Sequence, residues 1–451
     1  MVDVVTITTP SLGDRSYLAH DGEVAVVIDP QRDIERFLEA ADAAGTRITH
    51  VFETHLHNDY VSGGLALAEA TGATYVLPAA ADVEFPRTPA GDGDRFEAGR
   101  LALVALSTPG HTPHHVAYAL SEAGRAASAV FTGGSMLFGA VGRTDLVSEA
   151  QTDELTRAQY HSVRRLAREL PGDAVVLPTH GFGSFCSATP TTGESSTIAE
   201  QRTENLALIT EDEDEFVERL VAGLGAYPRY YAQMGPANRR GARPPSVEPP
   251  RRLDAQALRQ RIDAGEWVVD LRRRYAFARH HVAGTISVQL DDSFATLLGW
   301  AKRWETPLVL IGDSPQEVAD ARLELSRIGI DELAGAATGP TDELAAGRIS
   351  SYPVATFDGL GTVLGRAGVV VLDVRRPDEW HEGHLAGAVH VPFWELEARL
   401  DEVPAGEVWV HCAGGYRAAI AASILDRAGR HVVLVDDDWS KAAVLELPMA
   451  G

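Results

Sequence analysis

Two groups of residues in this sequence have the types and spacing to do chemistry. The first is a set of histidines. His55 and His57 stand two apart in Thr54-His55-Leu56-His57-Asn58-Asp59-Tyr60, His111 lies in Ser107-Thr108-Pro109-Gly110-His111, and His180 in Leu177-Pro178-Thr179-His180-Gly181. Each segment follows a short apolar stretch, so three separate strand ends would bring imidazole to one place. Neutral imidazole binds zinc and iron(II) well, and a site of three protein nitrogens with open positions suits catalysis better than structure.

The second group surrounds a cysteine, in Val408-Trp409-Val410-His411-Cys412-Ala413-Gly414-Gly415-Tyr416-Arg417, and runs on into an Ala/Ile/Leu-rich helical pattern. A cysteine at the head of a helix meets free backbone N–H groups and the positive end of the dipole, which favour a thiolate. Ala413, Gly414, Gly415 and Tyr416 are the expected substrate-binding loop. Its glycines let amides turn toward one sulfur, and Arg417 adds a cation. Cys412 and Arg417 are thus the expected catalytic pair. The other cysteine, Cys186, follows His180 closely; it is expected to pack in the interior, with a relay or substrate-sensing thiol beside the histidines as the alternative. Two distant cysteines do not make a disulfide framework.

These residues need elements to position them. Apolar runs at 24–28, 48–54, 73–77, 101–106, 129–132 and 174–177 alternate with helical stretches, which predicts a layered α/β domain over residues 1–235 with its site at the strand ends. The Pro- and Arg-rich stretch GPANRRGARPPSVEPPRR at 235–252 is expected to continue neither helix nor central strand, so 236–252 reads as a linker. An internal repeat follows. Val268-Val269-Asp270-Leu271-Arg272 with His281-Val282-Ala283-Gly284 matches Val371-Leu372-Asp373-Val374-Arg375 with His384-Leu385-Ala386-Gly387, at the same Asp-to-His spacing. This predicts two copies of one α/β module, over 253–350 and 356–451. The first copy reads Gly312-Asp313-Ser314-Pro315 where the second has its cysteine loop, so it is expected to be a structural or docking domain. The acidic run at 211–216 is expected to be a solvated helix face.

Composition narrows the classes of partner. Sixty-four acidic against forty basic residues give a net charge of −24, which repels nucleic acids and anionic membranes. The sequence opens without a basic, apolar leader and has no membrane-length apolar run, so a soluble cytoplasmic protein is expected.

The segments THLHNDYVSGG, TPGHT, FTGGSMLFGAVGRTDL and PTHG resemble the metallo-β-lactamase superfamily, particularly its persulfide dioxygenase branch. The resemblance implies an αββα sandwich with metal-site residues His55, His57, Asp59, His111 and His180. Two positions depart from the family pattern: Tyr60 stands where a second-site histidine is expected, and Gly134 where the family has a metal-binding aspartate. At most one metal is therefore implied. Fe(II) is the first expectation and Zn the alternative, with Asp59 or Asp145 as a replacement carboxylate; a domain without metal is the remaining outcome.

The Cys412 loop, with the stretch from Asp373 to Pro392, resembles the rhodanese domain. This implies that Cys412 takes the outer sulfur of thiosulfate or a persulfide and passes it on. The domain order resembles persulfide dioxygenase–sulfurtransferase fusions of sulfide detoxification. Low-molecular-weight thiol persulfides, thiosulfate and sulfite are the expected partners, and a homo-oligomer is compatible with this reading. Three alternatives accompany it: a sulfurtransferase with a metal-free or regulatory N-terminal domain, a glyoxalase II-like thioester hydrolase, and a non-enzymatic sulfur-binding sensor or scaffold.

Overall fold

The computed structural model describes residues 2–189, 191, 193–246 and 248–450. By its internal contacts the chain forms two units, one built mainly from residues 1–224 and 230–246, the other mainly from 247–325 and 330–451.

In the first unit, β1 (Asp3–Thr9), β2 (Asp14–His20), β3 (Val24–Ile28), β4 (Arg47–Phe52), β5 (Thr74–Pro78) and β6 (Thr88–Ala90) form one sheet in sequential order. A second sheet runs β12 (Ser196–Thr197), β11 (Val175–Pro178), β10 (Ala129–Gly133), β9 (Val116–Glu122), β8 (Leu101–Ser107) and β7 (Arg95–Ala98). Tyr17, Val26, Ile28 and Phe52 of the first sheet share one buried cluster with Leu103, Tyr118, Leu120 and Phe131 of the second. The main core therefore lies between two sheets, as alternating apolar faces require. The opposite face of the first sheet buries Val27 and Val51 under Phe37 and Leu67, from helices Glu35–Ala43 and Gly64–Thr71. The opposite face of the second packs Val130 and Val176 on Val163 and Leu166 of helix Thr152–Glu169. The four layers are helix, sheet, sheet, helix.

The apolar runs anticipated from sequence become β3, β4, β5, β8, β10 and β11, with ends shifted by a residue or two. The acidic run caps and opens helix Glu213–Ala222: Asp212 accepts the Glu215 N–H, and Phe216 turns inward. One expectation needs correction. Helix Tyr231–Arg240 continues through Pro236, well into the stretch read as a linker. Its reason is tertiary. Asn238, 4% exposed, donates to the carbonyls of His57 and Tyr60 at 2.8 Å and accepts the Ser62 N–H at 2.8 Å. Three bonds to a buried loop outweigh the single helical bond that proline forfeits. The helix then ends at Gly241, whose φ of +80° suits glycine. The described residues from 241 to 250 carry neither helix nor strand.

In the second unit, β13 (Trp267–Asp270), β15 (Ile286–Ser287), β16 (Leu308–Gly312) and β17 (Gly335–Thr338) form a parallel sheet in the order β15-β13-β16-β17, and β14 (His281–Val282) pairs separately with β18 (Ile349–Ser350). The second sheet joins β19 (Val354–Ala355), β20 (Val369–Asp373), β22 (Val389–His390), β23 (Glu407–His411) and β24 (His431–Val435) in the order β19-β24-β23-β20-β22, all parallel, and β21 (His384–Leu385) pairs separately with β25 (Met449–Ala450). Except for the added edge strand β19, the two copies share one strand order. Central strands such as Leu308–Gly312 are buried at every position, as a parallel sheet covered on both faces demands. No helix among the described residues is long and apolar enough to cross a membrane.

Candidate functional site

The four sequence-singled histidines are all within 1% of full burial. His55 and His57 follow β4, His111 follows β8, and His180 follows β11. Ligand atoms of His55, His57 and His180 lie within 4.8 Å of one another, and so do those of His111, His180 and Cys186. His180 is thus the common member of both groups.

Each of the four rings commits one nitrogen to oxygen and leaves the other without an oxygen partner. His111 Nδ1–H donates to the Arg143 carbonyl at 2.7 Å, and its Nε2 has no hydrogen-bond partner. His180 Nδ1 lies 3.0 Å from both Asp14 and Asp59, while its Nε2 faces His55 Nε2 at 3.3 Å. The Thr54 hydroxyl spends its proton on Asp29, so His55 Nδ1–H donates to Thr54 Oγ1 at 2.9 Å. His57 Nε2 is held by Glu53 at 3.1 Å and Asp29 at 3.2 Å, and its Nδ1 is unpartnered. A ring fixed through one nitrogen with a lone pair left on the other is what a metal-ligating histidine needs. Nearby His115 differs. Its Nδ1 bonds Thr108 Oγ1, and its Nε2 accepts the Gly134 N–H at 3.0 Å. These imidazoles are the donor type a borderline transition metal takes, in two trios that share His180, the second of which includes Cys186.

The electrostatics follow from burial. Burial and the neighbouring His57 hold His55 well below the ordinary imidazole range, and burial with His180 brings His111 down to about 3. Against their burial, Asp29 and Glu53 lift His57 to about 9, and Asp59 and Asp14 lift His180 to about 10. Burial and the adjacent Asp59 push Asp14 up to about 8. These two carboxylates stand on the Nδ1 side of His180, so Asp59 orients that ring. Asp145 is taken up by Arg143 in a forked pair with both contacts at 2.7 Å.

The two departures from the family pattern have structural counterparts. The Tyr60 hydroxyl sits 3.0 Å from His57 Nε2 and donates to the Asp29 carbonyl. At Gly134, a Cβ would clash with the ring of His111, 2.2 Å from Cδ2 and 2.6 Å from Cγ. The volume of a side chain at position 134 is thus used by His111 itself. Cys186 is fully buried, and burial, then Asp59, drives its thiol well up.

Sequence reading missed the hub of this site. Asp29, at a φ of +51° just after β3, accepts from the Thr54 N–H at 2.7 Å, the Thr54 hydroxyl at 2.8 Å and the Thr179 hydroxyl at 2.5 Å. It ties the segments carrying His55 and His180 to one carboxylate. An Asp-Pro pair ending an apolar strand was its only local signal.

In the second unit, β23 delivers Cys412 to the N-terminus of helix Tyr416–Arg427. The Gly415 N–H points at Cys412 Sγ at 3.2 Å and the Ala418 N–H at 3.4 Å. Gly415, at a φ of +86°, is one of the donors; Gly414 is not, and no neighbouring atom would crowd a Cβ placed there. The Ala413 carbonyl accepts the Trp439 N–H at 2.9 Å, and Tyr416 is 40% exposed at the loop's mouth. Arg417 is largely buried and forked onto Glu379, at 2.5 and 2.8 Å. Against the cost of burial, Arg417 brings the Glu379 carboxyl down to about 2. Arg375 lies forked on Asp373 and 3.8 Å over the Trp439 ring, closing the floor of the loop. Glu379 was legible within Arg375-Arg376-Pro377-Asp378-Glu379, but its pairing with Arg417 was not.

A Metallo-beta-lactamase superfamily model matches residues 14–180, and a Rhodanese-like domain model matches residues 358–443. The human protein described as mitochondrial persulfide dioxygenase ETHE1 is 32% identical over 225 residues, covering 48% of this chain and 78% of that protein. A hydroxyacylglutathione hydrolase of Cereibacter sphaeroides is 35% identical over 185 residues, 39% of this chain and 66% of that protein. Among solved structures, a metallo-β-lactamase from Staphylococcus aureus superposes with a TM-score of 0.65 at 26% identity, covering 75% of this chain and 99% of that one. With its persulfide dioxygenase relatives, its four-layer N-terminal domain and its C-terminal rhodanese-like domain, the chain belongs to the metallo-β-lactamase-fold persulfide dioxygenase–rhodanese fusion family.

Proposed function

We propose that the protein is a sulfur-metabolism enzyme that carries sulfane sulfur on Cys412 and oxidises low-molecular-weight persulfides at a single-metal site in its N-terminal domain. The observation that carries this reading is the pair of backbone N–H groups aimed at Cys412 Sγ, at 3.2 and 3.4 Å. Such donors favour a sulfur anion, whether thiolate or persulfide. The Cys412 thiolate attacks the outer sulfur of thiosulfate, the sulfur–sulfur bond breaks, and sulfite leaves with the electron pair. The resulting cysteine persulfide gives its terminal sulfur to a nucleophilic acceptor, which returns the thiolate. Arg417, fixed by Glu379, adds positive charge beside the cradle through both half-reactions.

In the N-terminal domain, His55, His57, His111 and His180 would hold the metal, for which iron(II) is proposed over zinc because persulfide oxidation needs redox chemistry. Bound there, iron(II) would couple dioxygen to the oxidation of a persulfide to sulfite. The protein's own part is to fix the rings through Asp14, Asp59, Asp29, Glu53 and the Arg143 carbonyl, and to keep the site dry. A soluble, cytoplasmic setting is part of the proposal.

One observation favours a second reading, a sulfurtransferase whose N-terminal domain is metal-free: His111 fills the space at position 134 where the family keeps a carboxylate. Turnover assays separate the two. Under the proposal, Cys412→Ser abolishes sulfur transfer from thiosulfate to a thiol but leaves oxygen uptake with glutathione persulfide. Oxygen uptake absent from the intact, anaerobically purified protein would select the second reading.

A further inference from the structure

We propose that Arg274, supplied by the copy that lacks a cysteine, is a positioning residue for the Cys412 loop. The inference rests on the sulfur-transfer reading above. Arg274 opens helix Arg274–Arg279 in the first copy, yet its guanidinium reaches the second: Nε lies 3.0 Å from both carboxylate oxygens of Asp436. Its guanidinium carbon also lies 4.2 Å over the ring of Tyr416, inside the loop. Within its own copy the same side chain is steadied by Gln289 at 3.0 Å. The catalytic helix is gripped from the same side at two further points, where Ser423 Oγ accepts the Ser287 N–H at 3.0 Å and Asp426 meets His281 at 3.1 Å.

Asp436 is what connects this grip to sulfur. It directly follows β24, and a Cβ built on Gly415 would run into its Oδ1 and come within 3.3 Å of Arg274 Nε. Gly415 therefore lies flat against the Asp436–Arg274 pair on one side and presents its N–H to Cys412 Sγ on the other. Asp436 has only 2% of its side chain exposed and Arg274 15%. Stripped of Arg274, that carboxylate would be a poorly solvated negative charge touching the loop that must hold a sulfur anion. It would turn toward other donors or solvent, and Gly415 would lose the surface that sets its amide. The cysteine-free copy thus completes the cradle and is not a spacer.

The test compares full-length wild type with Arg274→Ala, Arg274→Lys and the Arg274→Gln/Asp436→Asn double variant. It measures sulfur transfer from thiosulfate, and iodoacetamide labelling of Cys412 by peptide mass spectrometry. Arg274→Ala should lower kcat and the labelling rate about tenfold, equivalent to about 1.4 kcal/mol, with KM for thiosulfate within about twofold. Arg274→Lys and the double variant, which respectively retain the countercharge and remove the lone carboxylate, should each recover to within about threefold of wild type. A labelling rate and kcat for Arg274→Ala within about twofold of wild type would overturn the proposal, as would an equal loss in all three variants, which marks a purely structural role. Labelling does not require sulfur transfer. If wild-type Cys412 accepts no sulfur from thiosulfate or glutathione persulfide, the sulfur-transfer reading fails, while the labelling ratio still decides the role of Arg274.

Discussion

Replacing Gly415 by alanine perturbs the cysteine loop at the point where backbone and sulfur meet. Two costs arise. At a φ of +86° an L-residue is strained, by roughly 1–2 kcal/mol. The new methyl would also collide with Asp436 Oδ1, so the loop has to move. When it moves, the Gly415 N–H leaves Cys412 Sγ, which it now approaches at 3.2 Å. A hydrogen bond to a charged group contributes about 1.5–3 kcal/mol, and each 1.36 kcal/mol is a factor of about ten. Gly415→Ala should therefore slow iodoacetamide labelling of Cys412 at neutral pH by about 10- to 100-fold. Cys186, fully buried, is the only other cysteine in the sequence, so peptide-resolved labelling reports Cys412 cleanly. Circular dichroism should show the secondary structure retained. A folded variant that labels at the wild-type rate would refute the claim that this amide stabilises the sulfur anion.

Further outcomes follow from the same geometry. Glu379→Gln breaks the fork on Arg417; with side chains only 17% and 18% exposed, the loss should be about 2–3 kcal/mol at pH 7. Because the Glu379 carboxyl is held down to about 2, its contribution is complete above the ordinary carboxylate range and fades as pH falls toward 2. The gap between the thermal midpoints of wild type and variant should accordingly narrow from pH 5 to pH 2.5. His111→Ala should lose bound metal in elemental analysis, whereas His115→Gln, at a ring whose two nitrogens are both committed to protein partners, should retain most of it. Gly134→Asp places a side chain where the His111 ring lies, and such overpacking costs about 1–3 kcal/mol. It should lower the thermal midpoint of the metal-free protein, and added iron should recover it by recruiting the new carboxylate; an unchanged midpoint without metal would show that His111 does not fill that space.

The parts of the structure that local chemistry specifies were legible. Buried apolar strands such as 24–28 and 129–132 announce themselves by composition, and the matched Asp-to-His spacings exposed the duplicated module. The cysteine loop was readable because a helix start, glycines and a thiol lie within six residues. Long-range partners were not legible. Asp14 meets His180 across 166 residues and Asp29 meets Thr179 across 150, and nothing in the flanking sequence of either aspartate marks its partner. Strands β1 and β2 were overlooked because the first is largely exposed and polar residues alternate unevenly along the second. Helix Tyr231–Arg240 defeats the rule that proline ends a helix because the anchoring bonds of Asn238 lie in another segment. Arg274 lies in a run of three arginines that sequence alone cannot distinguish, and only the fold shows which one meets Asp436.

The central claim, that Cys412 carries sulfane sulfur, is tested most directly by intact mass of the protein after brief exposure to thiosulfate and removal of excess reagent. Wild type should gain the mass of one sulfur atom, mapped to the peptide of Cys412; a thiol acceptor should remove it, and Cys412→Ser should gain nothing. Wild type that stays at its original mass, or a gain that persists in Cys412→Ser, would contradict it.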